Sequence, residues 1–203
     1  MSSLADSAKK TLLDVARRAV MHAVERRELL ENLPSDRDLQ RPAGAFVTLR
    51  RLGQLRGCVG QLASKDPLIS VVAYCAMAAA LEDPRFAPMG ADELTGVEIE
   101  ISVLSSLVEI SPEQIAVGKH GLLVSRDGRR GVLLPQVAQE YGWTAERFLE
   151  ETCAKAGLER GAWKHPEARI QVFTAEVFCE RDFSAEPVPR HKARAKPGYS
   201  SST

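Results

Sequence analysis

The stretch from Gln54 to Gln61 reads QLRGCVGQ and places one cysteine, Cys58, between two glycines and two residues after Arg56. A cysteine thiolate is a strong nucleophile, and a nearby positive charge favours the thiolate over the thiol. A cysteine that only fills space in a protein core needs no such neighbours. The stretch therefore predicts a reactive thiol at Cys58. The alternative is that Cys58 packs inside the protein where two elements cross.

Residues 45–62 predict a β-hairpin that carries this stretch, with Gly53-Gln54 as a two-residue type II′ turn. That register puts Arg51 opposite Arg56, where two positive charges repel each other. An anionic ligand would relieve the repulsion, because guanidinium groups match carboxylates and phosphates. In the alternative, both arginines point into water. One face of the predicted hairpin carries Val47, Leu49, Arg51, Arg56, Cys58 and Gly60.

Five further residues are candidates for the same site. Gly57 and Gly60 weaken a strand, but they let a ligand or a second backbone approach closely; the alternative is a bulge. Arg85 lies on a predicted loop and is a candidate for binding an anionic substrate, or else forms an ion pair with Asp83. His120 is the candidate base for a Cys–His pair, and its alternative is a structural histidine. Gln136 either offers an amide to a ligand or caps a helix.

The remaining titratable residues predict no second site. Glu98 and Glu100 alternate along one strand and are predicted to form its solvated face, although a two-carboxylate mechanism is the alternative. The four cysteines and four histidines are scattered, so we expect no metal, no disulfide and no cofactor.

Helices and strands alternate irregularly along the chain. The patterns predict helices at 5–31, from Asp66-Pro67 to 81, at 135–141 and at 144–157. They predict strands at 45–52, 55–62, 97–104, 122–126, 131–135 and 169–179. Two hairpins with interspersed helices indicate an α+β fold with a largely antiparallel sheet.

Composition excludes several classes of protein. Lys+Arg and Asp+Glu number 27 each, which disfavours a nucleic-acid-binding surface. The sequence contains no long apolar run that predicts a membrane span and no signal peptide, so we expect a cytoplasmic protein. Residues 184–203 form a basic segment with little to bury, which predicts a disordered tail behind a domain at 1–183.

The stretch LRGCVG resembles the hallmark of the AMMECR domain family, protein A of the AmmeMemoRadiSam system, with Val59 where isoleucine is usual. Further matches run in order through 8–182. They are Phe46–Leu49, Asp83–Phe86, Ile101–Leu104, His120–Leu122, Leu133–Ala138 and Cys153–Leu158. The resemblance implies one compact α+β domain with two unequal lobes and a cleft between them. It carries no established reaction. Relatives are encoded beside, or fused to, a Memo-like protein and a radical S-adenosylmethionine protein, which implies a shared pathway.

Three functions follow from the residues and the resemblance together. The first is a cytosolic binding protein or enzyme for an anionic small substrate. In it, Cys58 is the nucleophile and His120 transfers protons, and the substrate is held by Arg56, Gly57, Gly60, Arg85 and Gln136. The second is a non-catalytic module that binds a partner protein. The third, disfavoured by the balanced charge, is an RNA-related function.

Overall fold

The structure, a computed structural model, describes residues 3–184. The helices are α1 (Asp6–Arg26), α2 (Leu68–Leu81), α3 (Pro135–Glu140) and α4 (Ala145–Lys155). The strands are β1 (Ala45–Arg51), β2 (Gln54–Gln61), β3 (Val97–Leu104), β4 (Val108–Glu109), β5 (Gly121–Arg126), β6 (Arg129–Leu133), β7 (Arg169–Phe173) and β8 (Ala175–Cys179). The predicted α+β class with antiparallel pairing is confirmed.

The strands form two four-stranded antiparallel sheets. Sheet I has the order β2-β1-β3-β8, and sheet II has the order β4-β7-β5-β6. Each sheet packs its own apolar core: a larger one between sheet I and the helices α1 and α2, and a smaller one between sheet II and the helices α3 and α4. The two unequal lobes expected from the family resemblance are therefore present, and we call them the large lobe and the small lobe.

The large lobe is built from a periodic helix and a helix of small residues. In α1, Leu12, Ala16 and Ala19 recur at helical spacing and are fully buried. The central sequence of α2, VVAYCAMAAA, presents little side-chain bulk, so its backbone lies close to sheet I. Alternate residues of β1 and β3, such as Val47 and Ile99, complete this core.

The helix boundaries differ from the predicted ones for local reasons. Helix α1 ends at Arg26 instead of residue 31, because Arg27 has a left-handed backbone (φ 62°) and its N–H bonds the carbonyl of Ala23. Helix α2 begins at Leu68, because the preceding Pro67 is extended. Asp66 does not cap α2, since its carboxylate accepts a hydrogen bond from Ser64.

The predicted hairpin exists, but its turn and register were wrong. The two turn residues are Leu52 and Gly53, with φ values of 52° and 77° that are typical of a type I′ turn. Beyond the turn, the register shifts by one residue between Leu49 and Arg50, where Arg56 is the extra residue of a β-bulge.

This bulge reverses the face on which the cysteine lies. Because side chains alternate along a strand, one extra residue moves all later residues to the other face. Cys58 therefore pairs with Thr48 and lies on the face opposite Leu49, and Arg51 pairs with Gln54 rather than Arg56.

The other border of sheet I is closed by an ion pair. Strand β8 pairs with β3 only from Glu100 onward, so residues 97–99 have β1 on one side and no strand on the other side. Arg17 donates to the carbonyl of Val97 (2.6 Å), and Glu180 accepts the N–H of Ile99 (3.0 Å). Arg17 and Glu180 also bond each other, so the pair occupies the place of a strand.

Within residues 3–184, no helix combines the length and the apolar character that crossing a bilayer requires. The predicted basic tail lies outside the described residues apart from Ser184.

Candidate functional site

One face of sheet I carries polar side chains from all four strands, and we call it the polar face. Cys58 on β2 pairs with Thr48 on β1, Thr48 pairs with Glu100 on β3, and Glu100 pairs with Cys179 on β8. Residues paired across antiparallel strands share a face, with Cβ atoms roughly 5 Å apart. The four side chains therefore form one row across the sheet, on the side away from the core formed by α1 and α2.

The thiol of Cys58 accepts a hydrogen bond from its cross-strand neighbour. Thr48 Oγ1 lies 3.4 Å from the sulfur atom, and Thr48 is only 9% exposed. Cys58 itself is half-buried, whereas Cys75 and Cys153 are fully buried. A hydroxyl that donates to sulfur favours the charged form of a thiol.

The second half-buried thiol, Cys179, lies too far away to pair with Cys58. Three strand spacings separate the two residues, or roughly 14 Å, well beyond the reach of a disulfide. Burial raises the pKa of Cys179, so this thiol resists ionisation.

Asp83 and Arg85 both form hydrogen bonds with the backbone of Cys58, and we call this arrangement the Asp83–Arg85 clasp. Asp83 Oδ2 accepts the N–H of Cys58 (2.8 Å), and Arg85 Nη2 donates to the carbonyl of Cys58 (3.3 Å). Two guanidinium bonds, of 2.9 and 2.7 Å, join Arg85 to Asp83. The bond from Arg85 is the main reason why the pKa of Asp83 falls to about 2. The ion pair that sequence analysis gave as the alternative for Arg85 therefore forms.

The clasp also places positive charge beside the thiol. The pKa of Arg85 is raised, chiefly by its hydrogen bond to Asp83 and further by the charge and hydrogen bonding of the Cys58 side chain. The structure thus brings Cys58 and Arg85 together, as the predicted site requires.

Arg56 is paired with an acid of its own chain. Its Nε and Nη2 atoms donate to both carboxylate oxygens of Glu93 (2.6 and 2.7 Å), and Arg51 lies 3.9 Å from the same carboxylate. The hydrogen bond from Arg56 lowers the pKa of Glu93 to about 2. The two arginines expected to repel each other thus converge on an internal anion. Arg56 Nη1 is enclosed and has no acceptor within residues 3–184.

Phe86 fixes the spacing of the two arginines. The guanidinium carbon of Arg56 lies 5.8 Å from the centre of the Phe86 ring, and that of Arg85 lies 5.6 Å from it. Both distances are typical of cation–π contacts. The loop after α2 therefore holds two cations at fixed places next to Cys58.

The space beside the two glycines is filled by the protein itself. A Cβ atom on Gly57 would overlap the carbonyl oxygen of Ala79 in α2, and one on Gly60 would overlap the ring of Phe46. The close approach predicted at these glycines is therefore made by α2 and Phe46. This geometry gives no support to a direct contact of either glycine with a substrate.

The predicted solvated face at Glu98 and Glu100 was wrong for Glu100. Glu98 forms an ion pair with Arg181, but Glu100 is half-buried in the row of the polar face. Burial raises the pKa of Glu100, and nearby Glu140 and Asp182 raise it further, against the opposing effect of Arg50. Glu100 is therefore the carboxyl group on this face that most readily holds a proton.

His120 and Gln136 belong to the small lobe. His120 Nδ1 accepts the N–H of Ala116 (3.2 Å), which assigns its proton to Nε2, and burial followed by the charge of Lys119 lowers its pKa. Neutral His120 is then a donor at Nε2 rather than a base. No hydrogen bond or ion pair joins it to Cys58 in the described part of the chain.

Gln136 lies in the first turn of α3, four residues before Glu140, so both share one face of that helix. The charge of Glu140 raises the pKa of Glu100, so the C-terminal end of α3, where Glu140 lies, is near the polar face.

Thr48 and Glu93 were not predicted as site residues from the sequence, Glu100 was expected on a solvated face, and Asp83 was expected only as the alternative ion-pair partner of Arg85. Alternation in β1 would have paired Thr48 with Cys58 if both the Leu52-Gly53 turn and the bulge had been recognised. Glu93 carries no sequence signal, because it lies 37 positions from Arg56 and reaches it only through the folded chain.

A separate groove of about 600 Å³ lies away from Cys58. Residues near the ends of β1 and β2 and the segment after β3 form its walls, including Arg41, Leu62 and Val108. It contains none of the predicted site residues.

The chain is similar to proteins of one family over most of its length. The AMMECR1 family profile matches residues 13–178. A protein of Methanothermobacter thermautotrophicus is 41% identical over 181 residues, covering 84% of this chain and 93% of the relative. A protein of Aquifex aeolicus is 38% identical over 181 residues, with 85% and 93% covered.

A solved structure has the same fold. The crystal structure of the uncharacterized protein PH0010 from Pyrococcus horikoshii matches with a TM-score of 0.80 and 36% sequence identity. The match covers 87% of this chain and 93% of that chain, so it includes both lobes.

Proposed function

The chain belongs to the AMMECR1 family, and we propose that its polar face is a thiol-dependent site for a small anionic substrate, with Cys58 as the nucleophile. The observation that carries the proposal is the environment of one sulfur atom. The Cys58 thiol is half-buried, accepts the Thr48 hydroxyl at 3.4 Å and lies beside the guanidinium of Arg85. The remaining exposure leaves the sulfur within reach of a substrate, and a hydroxyl donor and a guanidinium are groups that stabilise negative charge on sulfur.

Arg85 and Arg56 are the proposed anion-binding groups. The side chain of Arg85 is 55% exposed, and its bonds to Asp83 use only Nε and Nη2. Arg56 Nη1 is enclosed and has no acceptor among the described residues, and a buried donor of this kind is costly unless a ligand or water satisfies it. Gly57 and Gly60 support these groups indirectly, by admitting α2 and Phe46.

Glu100 is the proposed proton donor, with His120 and Gln136 as contacts from the small lobe. The Cys58 thiolate forms a bond to an electrophilic carbon of the substrate, and the displaced electron pair moves to a substrate heteroatom. That heteroatom takes the proton of the Glu100 carboxyl group, which the raised pKa keeps available. His120 Nε2–H and the Gln136 amide are hydrogen-bond donors of suitable type for an anionic substrate.

Iodoacetamide labelling across pH tests the nucleophile. We expect Cys58 to react faster than Cys179 at pH 7, with each thiol identified by mass spectrometry of its peptide. Cys179 is a matched control because it is also half-buried and lies in the same row. A Cys58 rate at or below the Cys179 rate contradicts the proposal.

The second candidate is a non-catalytic module that binds a protein partner. It is favoured by the ion pairs of Arg56 with Glu93 and of Arg85 with Asp83, which leave little unpaired charge at the site. The partners proposed from the family resemblance are the Memo-like and radical S-adenosylmethionine proteins of a shared cytosolic pathway. A pull-down with Cys58→Ser separates the candidates, because a docking module keeps its partner while a covalent enzyme loses activity.

A further inference from the structure

The carboxylate of Asp83 is the shared acceptor for the backbone and the cation of the proposed site. It is almost fully buried, at 4% exposure, and takes four hydrogen bonds. One comes from the N–H of Cys58 and three come from Arg85, through its backbone N–H, Nε and Nη2. No other carboxylate in residues 3–184 bonds both the backbone of Cys58 and Arg85.

The clasp supplies what a neighbouring strand would supply. β2 is the border strand of sheet I, and β1 lies on its other side. The N–H and carbonyl of Cys58 point away from β1 and are taken by Asp83 and Arg85. A strand in that position would accept the same N–H and donate to the same carbonyl. The clasp therefore restrains Cys58 as a central strand would, and it carries a guanidinium as well.

The fold brings Asp83 to this place through the glycine before the cysteine. Gly57 lets the backbone of α2 approach β2 at Ala79. Helix α2 ends at Leu81, so Asp83 lies two residues beyond the end of the helix and four residues beyond Ala79. The order glycine then cysteine in β2 thus matches the order Ala79 then Asp83 along the chain that packs against it.

We infer that Asp83 is the positioning residue of the Cys58 site, holding the thiol-bearing backbone and the Arg85 guanidinium in one rigid unit. The inference rests on the proposed function for its purpose, but its geometry is independent of any reaction. Asp83 is buried, so we expect it to act through Cys58 and Arg85 and not by touching a substrate.

Amide hydrogen exchange at Cys58 tests the inference in the full-length protein. We expect Asp83→Ala to accelerate exchange of the Cys58 amide at least 10-fold while amides of the core, such as Val47 and Ile99, stay protected. Asp83→Asn keeps an oxygen that accepts this N–H, so it should restore most of the protection. Glu93→Gln is the matched control, because it removes the neighbouring arginine–carboxylate pair without touching Cys58.

A second measurement, the pH profile of Cys58 alkylation, tests how the charges of Asp83 and Arg85 affect the thiol. Asp83→Asn removes the negative charge nearest the Cys58 backbone, so the pH profile of Cys58 alkylation should move to lower pH, whereas that of Glu93→Gln should not. A Cys58 amide that exchanges within twofold of the wild type in Asp83→Ala overturns the inference. Equal acceleration in Glu93→Gln, or an unmoved pH profile in Asp83→Asn, also overturns it. If Cys58 of the wild type is alkylated no faster than Cys179, the proposed function is contradicted. The hydrogen-exchange result still tests the role of Asp83 in that case.

Discussion

Thr48 Oγ1 lies 3.4 Å from the sulfur atom of Cys58, and the two residues face each other across β1 and β2. The hydroxyl comes from the strand rather than from a loop, so its position is set by the sheet register. A change confined to this hydroxyl therefore tests the thiol without disturbing the clasp on the other side of β2.

Thr48→Val should slow alkylation of Cys58. Valine keeps the shape of threonine but removes the donor to sulfur, and a hydrogen bond to a charged group contributes about 1.5–3 kcal/mol. Since sulfur is a weak acceptor, we expect a drop of roughly 3- to 10-fold at pH 7. Thr48→Ser keeps the hydroxyl and should stay close to the wild-type rate. Equal rates in the valine and serine variants would show that the hydroxyl does not act on the thiol.

Gly57→Ala should destabilise the large lobe. The added methyl group would overlap the carbonyl oxygen of Ala79, which is backbone and cannot rotate away. We expect a loss of about 1–3 kcal/mol in the free energy of unfolding, measured by urea denaturation. Gly161→Ala is the control, because no atom lies within 4 Å of its Cβ position. Similar losses in both variants would contradict close packing at Gly57.

Stability should fall steeply in acid because two carboxyl groups have lowered pKa values. Their hydrogen bonds to arginine hold the pKa of Asp83 and that of Glu93 at about 2. A carboxyl group whose pKa is lowered by folding stabilises the protein above its unfolded value, about 4, and this contribution is lost as the pH falls toward 2. Each group contributes about 3 kcal/mol on this basis.

The variant Glu93→Gln isolates one of these contributions. The free energy of unfolding should depend less on pH between 4 and 2 in this variant than in the wild type. Glu113→Gln changes an exposed carboxyl group and should leave the slope unchanged. If the free energy of unfolding falls equally steeply between pH 4 and 2 in Glu93→Gln and in the wild type, the ion pair of Glu93 with Arg56 is contradicted.

Glu100→Gln should stabilise the protein at pH 7. Burial raises the pKa of Glu100, so its charged form is unfavourable in the folded state and stability rises as the pH falls through the folded pKa. We expect a gain in the free energy of unfolding at pH 7 that shrinks toward pH 4.5. Glu25→Gln, on the exposed surface of α1, is the control. A loss of stability in Glu100→Gln at pH 7 would mean that the carboxylate is better satisfied than its surroundings indicate.

The fold class and the existence of the Cys58 hairpin follow from sequence, because alternation, turn residues and helical spacing are local signals. The register did not follow. Leu52 adopts a left-handed backbone that a leucine rarely takes, and the bulge at Arg56 is not marked by residue type. Those two features decide which face of the sheet Cys58 occupies.

The partners of the site residues depend on contacts between distant parts of the chain. The sequence predicts that Arg56 and Arg85 bind an anion. In the folded chain, the carboxylates of Glu93 and Asp83 take that place. The sequence also predicts that another group approaches Gly57 and Gly60 closely. In the folded chain, these groups are the backbone of Ala79 and the ring of Phe46. The residue types indicate that close partners are needed, but the identity of those partners required the tertiary structure.

The Arg17–Glu180 pair that closes β3 has a consequence for the protein at high concentration. Unpaired strand borders recruit strands from other molecules and start amyloid-like aggregation. At Val97–Ile99 the available groups are already bonded by side chains of the same molecule. Sheet I therefore offers no free hydrogen-bonding groups to an incoming strand at this point, because the ion pair that links α1 to the end of β8 already occupies them.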